Sequence, residues 1–290
     1  REKEEIKNMA IDENLYTGIN RNKYKIVCPY CFHKFDHASV EFRSAKCFEN
    51  DEEIAKEIGK TKTEIEMDGD TASLERYRQY ELLSKGMDEQ YRKFWEPFGG
   101  TTEPVSKRRN LNAAKPWELP IINHSMIKKL NTDANGFVVS CVDKITNSIS
   151  KDRVCPKCHN PLPHDYGKYT VKRIAIIGVT GAGKTVYISQ LLENMDECVN
   201  KIGMSAFSTT NHEIIFIENN PVVKGRPLPD STSEKTLSQP MFFDITKSDK
   251  GVTERRTIVL YDIAGENCQT STDDNGNVFD GADKMKEFGL

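Results

Sequence analysis

The chain has 290 residues, room for about two domains. Its 41 Lys and Arg against 44 Asp and Glu leave a net charge of −3, which argues against a chain-wide polyanion binder, because phosphate-backbone binding needs a concentrated positive field. With 37% hydrophobic and 29% charged residues, parts of the chain must be solvated, and the longest apolar runs (174–177 and 214–217) are strand-sized, far short of a membrane span. In chain order, residues 1–23 form a polar segment. Its opening Arg1-Glu2-Lys3-Glu4-Glu5 is not the apolar part of a signal peptide, and the missing initial Met points to a piece of a longer protein. Between Tyr24 and Val40 the pattern changes to two short strands around Cys28-Pro29-Tyr30-Cys31. Residues 44–150 read as a mainly helical insertion: a helix over 51–58 stopped by Gly59, a longer one over 71–95 weakened at Gly86, a Pro- and Gly-bearing loop over 97–120, a short helix over 121–130 and a strand over 136–142. Further on come a strand over 171–177, a glycine-rich turn and a helix over 185–195. The stretch 207–239 is irregular apart from 213–218, and strands over 240–247 and 256–261 form a hairpin joined through 248–254.

Cys28-x-x-Cys31 and Cys155-x-x-Cys158 share the form Cys-Pro-x-Cys. Two such knuckles supply four thiolates for one tetrahedral Zn²⁺, a closed structural site without catalytic water. The long stretch between Cys31 and Cys155 makes 24–43 and 151–170 the two halves of a zinc ribbon. His33, His37, His159 and His164 are rival ligands for two separate sites, but two complete Cys pairs make them surface or supporting groups. Cys47, Cys141, Cys198 and Cys268 are isolated and are read as small buried or incidental residues. Cysteine pairs without a secretion signal place the chain in a reducing compartment, the cytoplasm.

Gly178-Val179-Thr180-Gly181-Ala182-Gly183-Lys184-Thr185 matches the phosphate-loop pattern G-x-x-x-x-G-K-[ST] at every fixed position, with a strand before it and a helix after it. Gly178, Gly181 and Gly183, with Thr180 and Ala182, would let backbone N–H groups converge on phosphate oxygens, and the helix aims its positive end at the same point. Lys184 would reach the outer phosphates and the Thr185 hydroxyl would hold Mg²⁺. The run 258–266 ends in Asp262-Ile263-Ala264-Gly265-Glu266. Here Asp262 is a second Mg²⁺ residue and Gly265 offers an N–H to a terminal phosphate.

A phosphate loop ending Gly-Lys-Thr, then an antiparallel hairpin, then Asp-Ile-Ala-Gly-Glu, resembles the Ras-like branch of P-loop GTPases, the TRAFAC class, over residues 171–266. The cysteine module upstream makes the chain similar to bacterial zinc-ribbon-linked GTPases of the "double-GTPase" type. The resemblance implies a three-layer α/β P-loop domain over 171–290 and a GTP-driven switch. It also implies a first switch over 225–239, with Thr232, or Thr236, meeting the cation and Arg226 available as an internal arginine finger. Three departures stand out. Glu266 occupies the place of a water-orienting Gln. The stretch from Lys184 to Asp262 is long for a compact domain. No guanine-reading Asn-Lys-x-Asp occurs within 290 residues, so the P-loop domain is expected to be incomplete on its C-terminal side.

The expectation is a GTP-binding and hydrolysing regulatory protein, with an unidentified protein partner and no membrane span. ATP-dependent chemistry on the same loop and a zinc-ribbon interaction module with a non-hydrolytic nucleotide site are the alternatives. Nucleic-acid binding is not favoured. Lys107-Arg108-Arg109 is a basic loop for which solvation is the commoner explanation.

Overall fold

The computed structural model describes residues 13–96, 116–178, 182–210, 213–218, 220–225, 239–262, 271–272 and 278–279. They form a mixed α/β protein with several separate sheets. Two compact units arise. One holds the described residues through Ile26, Phe35–Arg92 and 116–164. The other holds Val27–Lys34, 93–96 and the described residues from Asp165 on.

β1 (Lys25–Val27) and β2 (Lys34–Asp36) form a short two-stranded ladder. β3 (Glu41–Arg43) then forms the middle of a three-stranded antiparallel sheet with β4 (Ile121–Ile122) and β8 (Asp152–Val154). A second three-stranded sheet is the meander β5 (Ile127–Thr132), β6 (Val138–Asp143), β7 (Ile149–Ser150). Between β3 and β4 come helices α1 (Asp51–Ile58), α2 (Lys62–Met67), α3 (Thr71–Glu81) and α4 (Glu89–Trp95). The insertion is thus helical through Trp95 and sheet-forming after Ile121.

α1 ends where expected. Asn50 caps its start, accepting from Glu53 N, and Gly59 at φ 89° adopts the left-handed turn that donates its N–H back to Ala55. The single long helix over 71–95 does not form. Residues 83–88 leave the helix because other backbones claim them: Phe48 N donates to Leu83 O, Lys85 N to Phe48 O, Gly86 N to Glu118 O and Asp88 N to Trp117 O. Asp88 then starts α4 afresh, accepting from the N–H groups of Gln90 and Tyr91. The expected helix over 121–130 is also absent, replaced by β4, a 3₁₀ turn at His124–Met126 and β5.

Arg43 is the polar centre of this unit. Its side chain is 4% exposed and pairs with Asp88 at 2.6 Å. It also donates to Leu119 O at 2.9 Å and His159 O at 3.0 Å. His159 completes the cluster, with Nδ1 2.9 Å from Asp88 and Nε2 3.1 Å from Glu41. Arg43 and His159 hold the Asp88 carboxyl below the ordinary carboxylate range against the opposing effect of burial, which is the largest single influence on it. Replacing one partner of such a pair strands a buried charge. Asp88→Ala is therefore expected to cost about 3–5 kcal/mol in urea unfolding, and a loss below about 1 kcal/mol would contradict this account.

The second unit is built on a four-stranded sheet in the order β10 (Met204–Ser208), β11 (Met241–Asp249), β12 (Val252–Asp262), β9 (Thr170–Ile176). β12 runs parallel to β9, with Asp262 opposite Ile176, and β11 is antiparallel to β12. The hairpin turn is tighter than 248–254. Only Lys250 (φ 48°) and Gly251 (φ 80°) separate the strands, the two-residue turn with both φ values positive that matches strand twist. Helix α5 (Lys184–Glu193) follows β9 and packs Ile188 and Leu192 against Met241, Phe243 and Leu260 on one face of the sheet. α6 (Met195–Asn200), α7 (Ile214–Glu218) and α8 (Pro221–Lys224) continue the chain. β10 is an element that the sequence reading did not assign. Among the described residues no helix is long and apolar enough to cross a membrane.

Candidate functional site

Two constellations stand out, and each begins with local geometry. The first lies where β9 gives way to α5. Gly183 precedes the helix at φ 77°, ψ 17°, a left-handed conformation that a Cβ would strain, so glycine is required there for backbone reasons. A methyl at Gly178, by contrast, would meet Lys184 and Ala182 at ordinary contact distances of 3.5–3.6 Å. The Lys184 ammonium donates to Gly178 O at 2.7 Å.

Parallel pairing of β9 and β12 brings Asp262 to the same end of the sheet. The Thr185 hydroxyl hydrogen-bonds the Asp262 carboxylate, and Lys184 acts on it electrostatically. Burial is the largest influence and pushes the Asp262 carboxyl above its ordinary range, with Lys184 and Thr185 pulling it back. Asp262 is 4% exposed, and its Oδ1 is buried and has no hydrogen-bond partner among the described residues. This leaves a buried acceptor beside the Thr185 hydroxyl and within the field of the Lys184 ammonium. Deeper in the unit, Asn220 accepts from Gln190 Nε2 at 2.9 Å and caps α8 through Val222 N and Val223 N, which ties that short helix to α5.

Thus Gly178, Ala182, Gly183, Lys184, Thr185 and Asp262 are placed, with Lys184, Thr185 and Asp262 brought together. Thr180, Gly181, Arg226, Thr232, Thr236, Gly265 and Glu266 lie outside the described residues, as do Lys107-Arg108-Arg109 and Cys268.

The second constellation is the four-cysteine cluster. The sulfurs of Cys28, Cys31, Cys155 and Cys158 all lie within 4.8 Å of one another, and three of the four residues are buried. The two knuckles repeat one hydrogen-bond pattern. Cys28 Sγ accepts from Tyr30 N and Cys155 Sγ from Lys157 N, each at 3.4 Å. Cys28 N donates to His33 O and Cys155 N to Asn160 O; Phe32 N and His159 N donate back to Cys28 O and Cys155 O. Phe32 (φ 54°) and His159 (φ 51°), each directly after the second cysteine, take the same left-handed turn, which closes each loop around its sulfurs. Four clustered thiols with backbone N–H support can hold a metal such as zinc.

Two of the histidines weighed as rival ligands, His37 and His159, are engaged elsewhere. Val138 N donates to His37 Nδ1, whose Nε2 meets Asn20 O, while His159 spends both nitrogens on Asp88 and Glu41. Of the isolated cysteines, Cys141 is buried and its thiol is pushed up to about 12, an inert packing residue; Cys198 is exposed.

Tyr261 is the residue that sequence reasoning missed. Its phenol donates to Pro29 O at 2.8 Å within the second unit. In the sequence it is one more residue of an apolar strand, and no local pattern marks it.

No family model matches the chain, and no solved structure matches it. It is 24% identical over 129 residues to the "Putative ESX-1 scaffolding and assembly protein SaeC" of Mycolicibacterium smegmatis, an alignment covering 40% of this chain and 32% of that protein. The chain therefore spans about a third of the length of the curated relative it matches.

Proposed function

We propose that this chain binds a purine nucleoside triphosphate with Mg²⁺ at the loop 178–185 and Asp262, and that it is a GTP-hydrolysing regulatory protein with a structural zinc ribbon. The observation that carries this reading is Asp262: a buried carboxylate at the end of a parallel strand, bonded to the Thr185 hydroxyl, with one oxygen that no described residue satisfies. Strand β9, the left-handed Gly183 and helix α5 support it by aiming backbone N–H groups and a helix N-terminus at the space where phosphates would lie. When bound, the cation would neutralise phosphate charge. Thr185 and Asp262 would hold it, and Lys184 would bind the phosphates directly. The choice of GTP over ATP rests on the likeness of the motif order to Ras-like GTPases. The similarity to a protein described as a scaffolding and assembly protein favours a protein partner.

Titration calorimetry of the zinc-loaded chain with GTP and with ATP, each with Mg²⁺, tests the binding, and phosphate release tests the hydrolysis. Binding of GTP with ATP at least tenfold weaker is expected. Equal affinities would remove the guanine assignment, and no binding of either would remove the site.

The pH dependence has a definite sign. Protons and the divalent cation compete for the same carboxylate, whose affinity for protons is raised by burial. The Mg²⁺-dependent part of the affinity is therefore expected to fall as pH drops. For the free protein the sign reverses: a raised carboxyl binds its proton more tightly when folded, so its contribution to stability is lost as pH rises through its folded value. Asp262→Asn is expected to flatten the binding profile. A profile unchanged by that substitution would count against the assignment.

A further inference from the structure

We propose that Tyr261 is a positioning residue through which the Cys28–Cys31 knuckle holds Asp262 in place for the cation of a bound nucleotide, a reading that rests on the nucleotide site proposed above. Successive residues of a strand point to opposite faces. Leu260 lies in the α5-facing core and Asp262 has the same parity, reaching Thr185 at the start of α5. Tyr261 points the other way. It is 6% exposed, its ring lies 6.1 Å from that of Phe32, and its hydroxyl donates to Pro29 O at 2.8 Å. Pro29 stands between the two cysteines, so one hydrogen bond joins the knuckle to the residue directly before Asp262.

A second tie acts on the neighbouring strand. Val27 O, at the start of the same short segment, accepts from Tyr166 Oη at 2.8 Å and from Arg173 Nη2 at 3.2 Å. Arg173 lies on β9, paired with Val259 of β12. Both strands whose ends frame the nucleotide site are thus fastened to residues 27–29. Any movement of this segment when the thiolates gain or lose their metal is transmitted to Asp262, and linkage makes the effect reciprocal: nucleotide binding must act back on the metal site.

The test replaces zinc by Co²⁺ in the full chain, so that the thiolate-to-cobalt absorption bands report on the knuckle while Mg²⁺·GTP is titrated. In the wild type the bands are expected to shift as nucleotide binds. Tyr261→Phe keeps the ring and loses the hydroxyl. It is expected to retain the cobalt bands, lose their response to nucleotide, and bind Mg²⁺·GTP about fivefold more weakly, the loss of one buried hydrogen bond. Its affinity for GTP in the absence of added Mg²⁺ is expected to stay unchanged. An equal loss with and without Mg²⁺ would mean a merely structural role and overturns the proposal, as does an undiminished band shift in the variant. The wild type alone also decides: nucleotide bound with no change in the bands overturns the coupling whether or not the variant folds. A wild type that binds no nucleotide defeats the nucleotide site itself, an outcome recognised by the missing binding isotherm.

Discussion

Lys184→Ala is expected to weaken Mg²⁺·GTP binding by at least about a hundredfold. Hydrogen bonds to a charged group contribute about 1.5–3 kcal/mol each, and one ammonium meeting two phosphates therefore accounts for roughly two to four decades of affinity. The ammonium is already turned toward the loop by its bond to Gly178 O, so little side-chain freedom remains to be lost on binding. The substitution places a good helix former in the first turn of α5 and removes the bond to Gly178 O, so the melting temperature is expected to change by only a few degrees. A further consequence separates this residue from an ordinary surface cation. Lys184 pulls the Asp262 carboxyl downward against its burial. Without it, protons hold Asp262 more firmly, and the pH at which Mg²⁺ begins to compete moves upward. Lys172→Ala, at an exposed position on β9, gives the reference for simple loss of charge. Equal affinities in the two variants, measured by fluorescent-nucleotide titration, would sink the phosphate-loop reading.

What the amino-acid pattern could and could not disclose follows from the range of the forces involved. The knuckles, α1 with its Gly59 stop, and the strand–loop–helix around Lys184 depend on residues a few positions apart, and their spacing is visible in the chain. The fate of residues 82–88 was not. The apolar spacing of Leu83, Met87 and Tyr91 fits a helix, yet Leu83, Lys85, Gly86 and Asp88 give backbone groups to Phe48, Trp117 and Glu118. The 121–130 segment misled for a different reason. β5 pairs with β6 through two register shifts, and its burial does not alternate, so the period-two signature of a strand is erased. Tyr261 and Pro29 are 232 positions apart, and nothing local to either residue announces the bond. The residues of the proposed nucleotide site were legible as types and spacings. The burial of Asp262, which sets its affinity for protons and cations, is a property of the assembled sheet.

The second large effect concerns the cysteines. The intact chain is expected to hold one zinc, and Cys28→Ser or Cys155→Ser is expected to lower zinc affinity by more than about a hundredfold, since even residues that merely support a metal ligand contribute 10–100-fold. Metal that binds only the folded chain stabilises it through the ratio of free metal to dissociation constant. A hundredfold loss of affinity therefore removes up to about 2.7 kcal/mol of stability at saturating zinc, readable in urea unfolding. Acidification should release the ion, because protons compete for thiolates, and a chromophoric chelator should extract it with a matching loss of cooperativity in unfolding. Two other cysteines distinguish this from general thiol loss. Cys198→Ser, at an exposed position, should change neither metal content nor stability. Cys141→Ser should leave zinc bound while costing stability through a buried hydroxyl in an apolar site, where burial already pushes the thiol up to about 12. Four freely reactive thiols at Cys28, Cys31, Cys155 and Cys158 in the purified protein, with no zinc retained, would leave the clustered sulfurs as a packing feature and remove the metal from the fold's stability.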